Sequence, residues 1–302
     1  MLTADQALRM IGTLDIAVFQ VETQSTVNDR ASFLRVQNLA RSMLGRYVYL
    51  EVGSHIGGSL LPHLIDPACE AAVSVDPRPA ALPDERAEFI RYPQNSTARM
   101  IAVLSERLPR SAMAKLTTIE SDVSALAPGA VELKATLAFI DGVHTNRACF
   151  SDFIGVLALT QPDCVICFHD ANLIADAIVN AERFLDHLGV AHETVFLPDT
   201  VAVMGLGRLA SAVQDELQPH GLDRATYLER SQRELWSHIA KVHFPEIRVE
   251  MKRLRSDNSR LAEEIERMRK SGEQNAEMSS MTRRASARIR KQIDRIKRRF
   301  AR

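Results

Sequence analysis

No stretch of this 302-residue sequence approaches the ~20 uninterrupted apolar residues of a membrane span. Its opening residues, MLTADQALRM, lack the basic and apolar regions of a signal peptide. Net charge is missing too. The 38 Lys and Arg balance 38 Asp and Glu, which removes any global attraction to polyanions and makes nucleic acid an unexpected partner. The expectation is a cytoplasmic protein. Cysteine is scarce, at positions 69, 149, 164 and 167. Cys164 and Cys167 form a Cys-x-x-Cys within an apolar run that ends at Phe168. Strand residues three apart point to opposite faces, so these two read as small core residues rather than a metal or disulfide pair. What is present is ordinary for a soluble protein: 46% hydrophobic and 25% charged residues. The length accommodates one substantial α/β domain and an appendage.

Residues 1–46 carry helical spacing, clearest from Asp29 to Leu44, where Phe33, Leu34, Val36, Leu39 and Leu44 share a stripe. From Arg46 the pattern changes to short apolar runs, each ending in a polar or glycine residue and followed by a helix-like segment. The runs are Tyr47–Val52, Ala72–Val75, Leu116–Ile119, Leu137–Ile140 and Val165–Phe168. Strands separated by crossovers imply a mainly parallel, doubly wound sheet with helices on both faces. After a helix over Ile174–Leu188, the runs Glu193–Leu197 and Val201–Met204 are separated by only Pro198, Asp199 and Thr200, a link that permits an antiparallel hairpin but no parallel crossover. A parallel sheet finishing in such a hairpin resembles the class I methyltransferases over about Asp29 to Leu206. The resemblance implies a seven-stranded, Rossmann-like α/β fold. The pattern divides the chain into a helical lead-in (1–46), a cofactor-binding domain (47–207) and a helical extension (222–302), with the boundary expected between Gly207 and Gly221.

Directly after the first run stands Glu51-Val-Gly-Ser-His-Ile-Gly-Gly-Ser59. Its glycines, Gly53, Gly57 and Gly58, let a tight turn pass under a ligand at the carboxyl end of the strand, with Ser54 and Ser59 as polar neighbours. A dinucleotide fingerprint requires a second glycine where this chain has His55, and that glycine admits the pyrophosphate. S-adenosylmethionine has no phosphate, and an acid at Glu51 suits its cationic sulfonium and amino group. The second run ends in Asp76, a carboxylate placed to accept hydrogen bonds from ribose hydroxyls, and the third in Ser121-Asp122, which in methyltransferases reaches the adenine.

The fourth run ends Ile140-Asp-Gly-Val-His144 and the fifth Phe168-His-Asp170. With Asn95-Ser-Thr-Ala-Arg99, these resemble a bacterial methyltransferase family related to cephalosporin hydroxylase and the macrolide sugar O-methyltransferases. The resemblance implies a divalent cation held by acids at these strand ends, which makes Asp141, His169 and Asp170 the candidate ligands. Magnesium is usual among the relatives, whereas an imidazole at His169 shifts preference towards manganese, iron or zinc. Asp141, His144 and His169 are the candidate catalytic groups, with Asp141 also beside the cofactor. His144 is the preferred base, its ordinary pKa of ~6.5 being suited to removing a hydroxyl proton.

Beyond Gly221, Ile247, Met251, Leu254, Asn258, Leu261, Ile265 and Met268 alternate steps of four and three, the spacing of a coiled-coil seam. Asn258 takes a core a position, and Glu250 with Arg255 and Glu264 with Arg269 occupy g and following e positions, so a homodimer through 247–268 is expected. Residues 283–302 form a basic amphipathic segment with Ile289, Ile293, Ile296 and Phe300 on one face, a pattern that suits peripheral contact with the inner membrane face. Two functions fit. One is an S-adenosylmethionine-dependent O-methyltransferase acting on a sugar, glycan or other hydroxylated small molecule. The other is a non-catalytic scaffold with the same fold in surface polysaccharide assembly, and an iron-dependent oxygenase like cephalosporin hydroxylase ranks below both.

Overall fold

The computed structural model describes residues 2–271. The chain divides into two units, 1–239 and 240–302. The first begins with α1 (Ala4–Gly12), a single 3-10 turn (Ile16–Val18) and α2 (Val27–Leu44). Thr26 starts α2 with a reciprocal capping box: its hydroxyl accepts from the Asp29 amide and Asp29 accepts from the Thr26 amide. Then follow β1 (Tyr47–Val52), α3 (Leu60–Ile65), β2 (Cys69–Val75), a small hairpin of β3 (Ala81–Pro83) and β4 (Phe89–Arg91), α4 (Thr97–Ser105), α5 (Arg110–Met113) and β5 (Leu116–Ile119). The unit continues with β6 (Ala135–Ile140), α6 (Asn146–Leu159), β7 (Thr160–Phe168), α7 (Ala175–Leu188), β8 (His192–Phe196), β9 (Ala202–Leu206) and α8 (Leu209–Leu217). Helix α9 (Arg224–His243) crosses the boundary, and α10 (Pro245–Ser271) lies in the second unit.

The main sheet has seven strands in the order β5-β2-β1-β6-β7-β9-β8. The first five in that order are mutually parallel, while β9 runs antiparallel to both β7 and β8. This is the Rossmann-like methyltransferase fold. Strand β1 is buried along its whole length, as a strand covered on both faces must be. On one face, Leu34 of α2, Leu60 of α3, Met100 of α4 and Val213 of α8 pack against Leu137 and Cys167. On the other, Phe153 of α6, Ile178 of α7 and Tyr227 of α9 pack against Leu50, Ala138 and Cys164. Cys164 and Cys167 therefore lie in opposite layers, and all four cysteines are buried and unpaired.

The boundary expected between Gly207 and Gly221 moves to Ile239. Helix α8 buries Leu209, Val213 and Leu217 on the sheet, and Tyr227 of α9 stacks on Phe196 and donates to the Asp199 carbonyl. A turn rich in Gly and Pro thus marks a bend inside the unit. No helix among the described residues is long and apolar enough to cross a membrane. The basic segment 283–302 lies outside the described residues.

Candidate active site

A cavity of about 230 Å³ opens at the carboxyl ends of β1, β2, β5, β6 and β7, where open parallel sheets place their ligands. Gly53 forms its floor at φ +84°, and a Cβ there would sit 2.0 Å from the Asp141 carbonyl oxygen. Only glycine lets the turn after β1 lie this close to the end of β6. Ser54, His55, Gly58 and Ser59 continue the wall. Four buried polar atoms on this wall have no hydrogen-bond partner: Ser54 Oγ, His55 Nε2, Thr23 Oγ1 and Asn95 Oδ1. A buried polar group left without a hydrogen bond is costly, so these atoms fit a polar ligand such as the amino acid end of S-adenosylmethionine.

Asp76, at the end of β2, faces the same space and is 4% exposed. Its carboxylate accepts from the amides of His55 (3.1 Å) and Arg78 (2.7 Å) and pairs with the Arg78 guanidinium at 3.2 Å. Oδ1, which accepts only the Arg78 amide, retains a lone pair for a ribose hydroxyl. Further along, Asp122 lines the cavity opposite Asp152 of α6. Burial, reinforced by the Asp122 charge, pushes the Asp152 carboxyl up to about 7.

The other end of the cavity holds a carboxylate and imidazole cluster. Asp141 follows β6, and His169 and Asp170 follow β7, with Asp170 in the left-handed region at φ +50°. His169 Nδ1 lies 2.9 Å from Asp141 Oδ1 and 3.4 Å from Asp170, while Nε2 faces Asp29 of α2 at 3.6 Å. That last contact is an ion pair rather than a hydrogen bond. His144 bridges the two strand ends, with Nε2 at 3.4 Å from Asp141 and Nδ1 at 3.2 Å from Asp170.

Burial opposes charge on both imidazoles, but the carboxylates around them win. Asp141 and Asp170, with Asp29, hold His169 well above its ordinary value, and Asp141 and Asp170 raise His144. Burial likewise opposes the ionised acids, yet His169 and His144 hold Asp141 far below the carboxylate range. Against the same burial, His169 and the Thr200 and Thr26 amides hold Asp29 at about 2. Three carboxylates, of Asp29, Asp141 and Asp170, thus surround the two imidazoles.

Most of the expected site residues meet here: Gly53, Ser54, Gly58, Ser59, Asp76, Asp122, Asp141, His144, His169 and Asp170 all line the cavity. Three do not. Glu51 is fully buried beneath the turn, accepting from Tyr49 and Ser59 hydroxyls at 2.7 Å each, and burial, against those two hydrogen bonds, lifts its carboxyl to about 7. It holds the loop from beneath through Ser59. Gly57 faces Leu104 and Met100 of α4, where a side chain would collide with the core. Ser121 turns away and donates to the Asp122 carbonyl.

Among the described residues, His144 joins the two aspartates of the expected metal set. The groups whose ligand atoms lie within 4.8 Å of one another are Asp141, His144 and Asp170. His169 is 6% exposed, held between Asp29 and Asp141.

Several lining residues carry no sequence signal: Thr23 before α2, Arg86, Ile90 and Tyr92 of the β3–β4 segment, and Asp152. That hairpin roofs the cavity and is tied to its chemical end. Glu85 donates its amide to the His144 carbonyl (2.8 Å) and accepts from the Asn146 amide (2.7 Å). Arg86 packs against Asp84, Nε to Oδ2 2.9 Å. Strands of three residues are too short for alternation to show, and Asp29 was legible only as a helix residue.

Comparison with known proteins agrees with this architecture. Residues 50–171 match the family model of a methyltransferase domain. The matched residues lie within the first unit and include the turn after β1 and the ends of β6 and β7. No curated protein matches it by sequence. Among solved structures it is similar to the calicheamicin methyltransferase CalS11, at 14% identity over 67% of this chain and 90% of that one, with a TM-score of 0.46. It is also similar to a putative caffeoyl-CoA O-methyltransferase from Staphylococcus aureus (12% identity, 67% and 92% covered, TM-score 0.43). An O-methyltransferase from Bacillus cereus in complex with SAH is a third (12% identity, 68% and 90% covered, TM-score 0.39). At these identities and scores, no residue role transfers from them.

Proposed function

We propose that this protein is an S-adenosylmethionine-dependent methyltransferase that acts on a hydroxyl of a sugar, glycan or other hydroxylated small molecule. The observation that carries the reading is a single cavity floored by Gly53, with Asp76 and Asp122 at one end and Asp141, His144 and Asp170 at the other. When bound, the cofactor supplies an electrophilic methyl group on a sulfonium. The chain supplies alignment: Ser54 and Thr23 hold the amino acid end, Asp76 accepts from the ribose, and Asp122 and Asp152 bracket the adenine. Alignment of this kind contributes at most about 7–11 kcal/mol to a displacement between bound groups.

An alcohol must also lose its proton. His144 accepts it at Nε2, while Asp170 fixes Nδ1, the arrangement of a base oriented by a third group. Because the two carboxylates raise the imidazole, His144 is charged at low pH and becomes a base only as pH rises through its elevated pKa. The same Asp141, His144 and Asp170 fit a divalent cation, which would lower the pKa of a bound hydroxyl, and the mixed oxygen and nitrogen set suits manganese, iron or zinc better than magnesium.

Isothermal titration with S-adenosylmethionine and with NAD tests the cofactor, and binding of NAD without S-adenosylmethionine overturns the proposal. Turnover of hydroxylated acceptors before and after chelation then separates the two routes. Loss on chelation with recovery on adding manganese assigns a cation. Unchanged turnover assigns the proton to His144 alone.

A further inference from the structure

Helix α10 spans 27 residues of the second unit, where the other described element is the end of α9. Three ion pairs run along it: Glu250–Arg253 at 3.8 Å, Asp257–Arg260 at 3.5 Å and Glu263–Arg267 at 3.7 Å. The three arginines recur every seven residues, forming one stripe. Leu254, Asn258, Leu261 and Ile265 form another, on a helix whose polar residues otherwise dominate. Ile265 is 37% exposed, Asn258 is exposed, and Leu254 and Leu261 are half-buried, so the stripe is only partly covered. Pairs three and four apart add only a few tenths of a kcal/mol each, and a helix in water draws most of its stability from burying such a stripe.

We infer that α10 pairs with α10 of a second copy of this chain as a parallel, two-stranded coiled coil in register at Asn258. This goes beyond the catalytic reading and does not depend on it. Three features select this occupant. The stripe follows the 3.5-residue period of a coiled-coil seam from 247 to 268, which a helix packed on a globular surface does not require. Asn258 at an a position meets its own copy only when the helices are parallel and in register, and there the two amides hydrogen-bond; a stagger of one heptad sets a lone amide against Met251 or Ile265 of the partner helix. Charge agrees with the same register, since Glu250 at g stands opposite Arg255 at the following e of the partner helix, and Glu264 opposite Arg269.

The test uses the full chain. Sedimentation equilibrium is expected to give twice the 33.7 kDa chain mass. The double variant Leu254→Asp, Leu261→Asp falls to the single-chain mass while its binding of S-adenosylmethionine is unchanged. Glu250→Arg and Arg255→Glu each weaken self-association, and mixing the two restores a heterodimer. Leu261→Cys, at a d position, forms an intermolecular disulfide on mild oxidation, the native cysteines being buried. A single-chain mass for the unaltered protein overturns the inference. So does a dimer that survives the double Leu→Asp change, or one that persists while Leu261→Cys fails to cross-link.

Discussion

Gly53→Ala isolates the close approach on which the cavity depends. The new methyl would lie 2.0 Å from the Asp141 carbonyl oxygen and 2.6 Å from its carbon, and both are backbone atoms that cannot rotate aside. Relief requires separating the β1 turn from the end of β6, where the Asp141 amide donates to the Val52 carbonyl at 2.9 Å. Two costs add. Holding alanine at φ +84° costs about 1–2 kcal/mol, and loosening that backbone bond about 1 kcal/mol more. For a unit of this size each kcal/mol lowers Tm by roughly 2–4 °C, so the expected drop is on the order of 4–12 °C.

Gly189→Ala is the matched control, because Gly189 has φ +67° but nothing within 4 Å of its Cβ position, leaving only the conformational cost. Differential scanning calorimetry of both variants, with titration calorimetry against S-adenosylmethionine, reads the difference. Gly53→Ala should melt below Gly189→Ala and bind at least about tenfold more weakly, a loss of about 1.4 kcal/mol. Equal melting of the two, with cofactor affinity intact in Gly53→Ala, would refute the reasoning.

Asp76→Asn leaves the buried Arg78 guanidinium without its counter-charge, and urea unfolding should show a loss of about 3–5 kcal/mol together with weaker cofactor binding. Glu51 gives a pH signature: its folded pKa of about 7 exceeds the ordinary 4.5, so its stabilising contribution is complete below pH 4.5 and is lost as pH rises to 7. Glu51→Gln should remove that slope, gaining on the wild type by about 3 kcal/mol between pH 4.5 and pH 8, and parallel stability profiles would count against a buried, ionising Glu51. Asp29→Ala removes half of the α2 capping box, the acceptor for the Thr200 amide and the counter-ion of His169, so a loss of at least about 2 kcal/mol and a reduced kcat are expected from denaturation and turnover measurements.

The parallel strands were legible because β1, β2, β6 and β7 each hold a buried stretch that reads as a largely apolar run, while the edge strand β5 reads as a short run flanked by Leu116 and Ile119. Tyr47–Val52 and Leu116–Ile119 coincide with β1 and β5. The terminal hairpin followed from a link too short to cross over. Site residues at strand ends were legible for the same reason, since parallel strands bring their carboxyl ends to one rim whatever their sequence separation. The β3–β4 roof was not, and neither was Asp152, which reaches the cavity from the side of a helix.

Sequence alone determined the period of every long element, the glycine at the floor and the acids along the rim, because those are local demands of backbone geometry and burial. Tertiary structure decided what each acid does. Glu51 and Asp76 both lie near the end of a strand, yet one is enclosed by hydroxyls under the loop and the other faces the cavity. His144 and His169 differ in the same way, one bridging two rim carboxylates and the other clamped against an aspartate from α2. Protonation and reach depend on the charges and burial around a side chain, and those neighbours come from distant parts of the chain that only folding brings together.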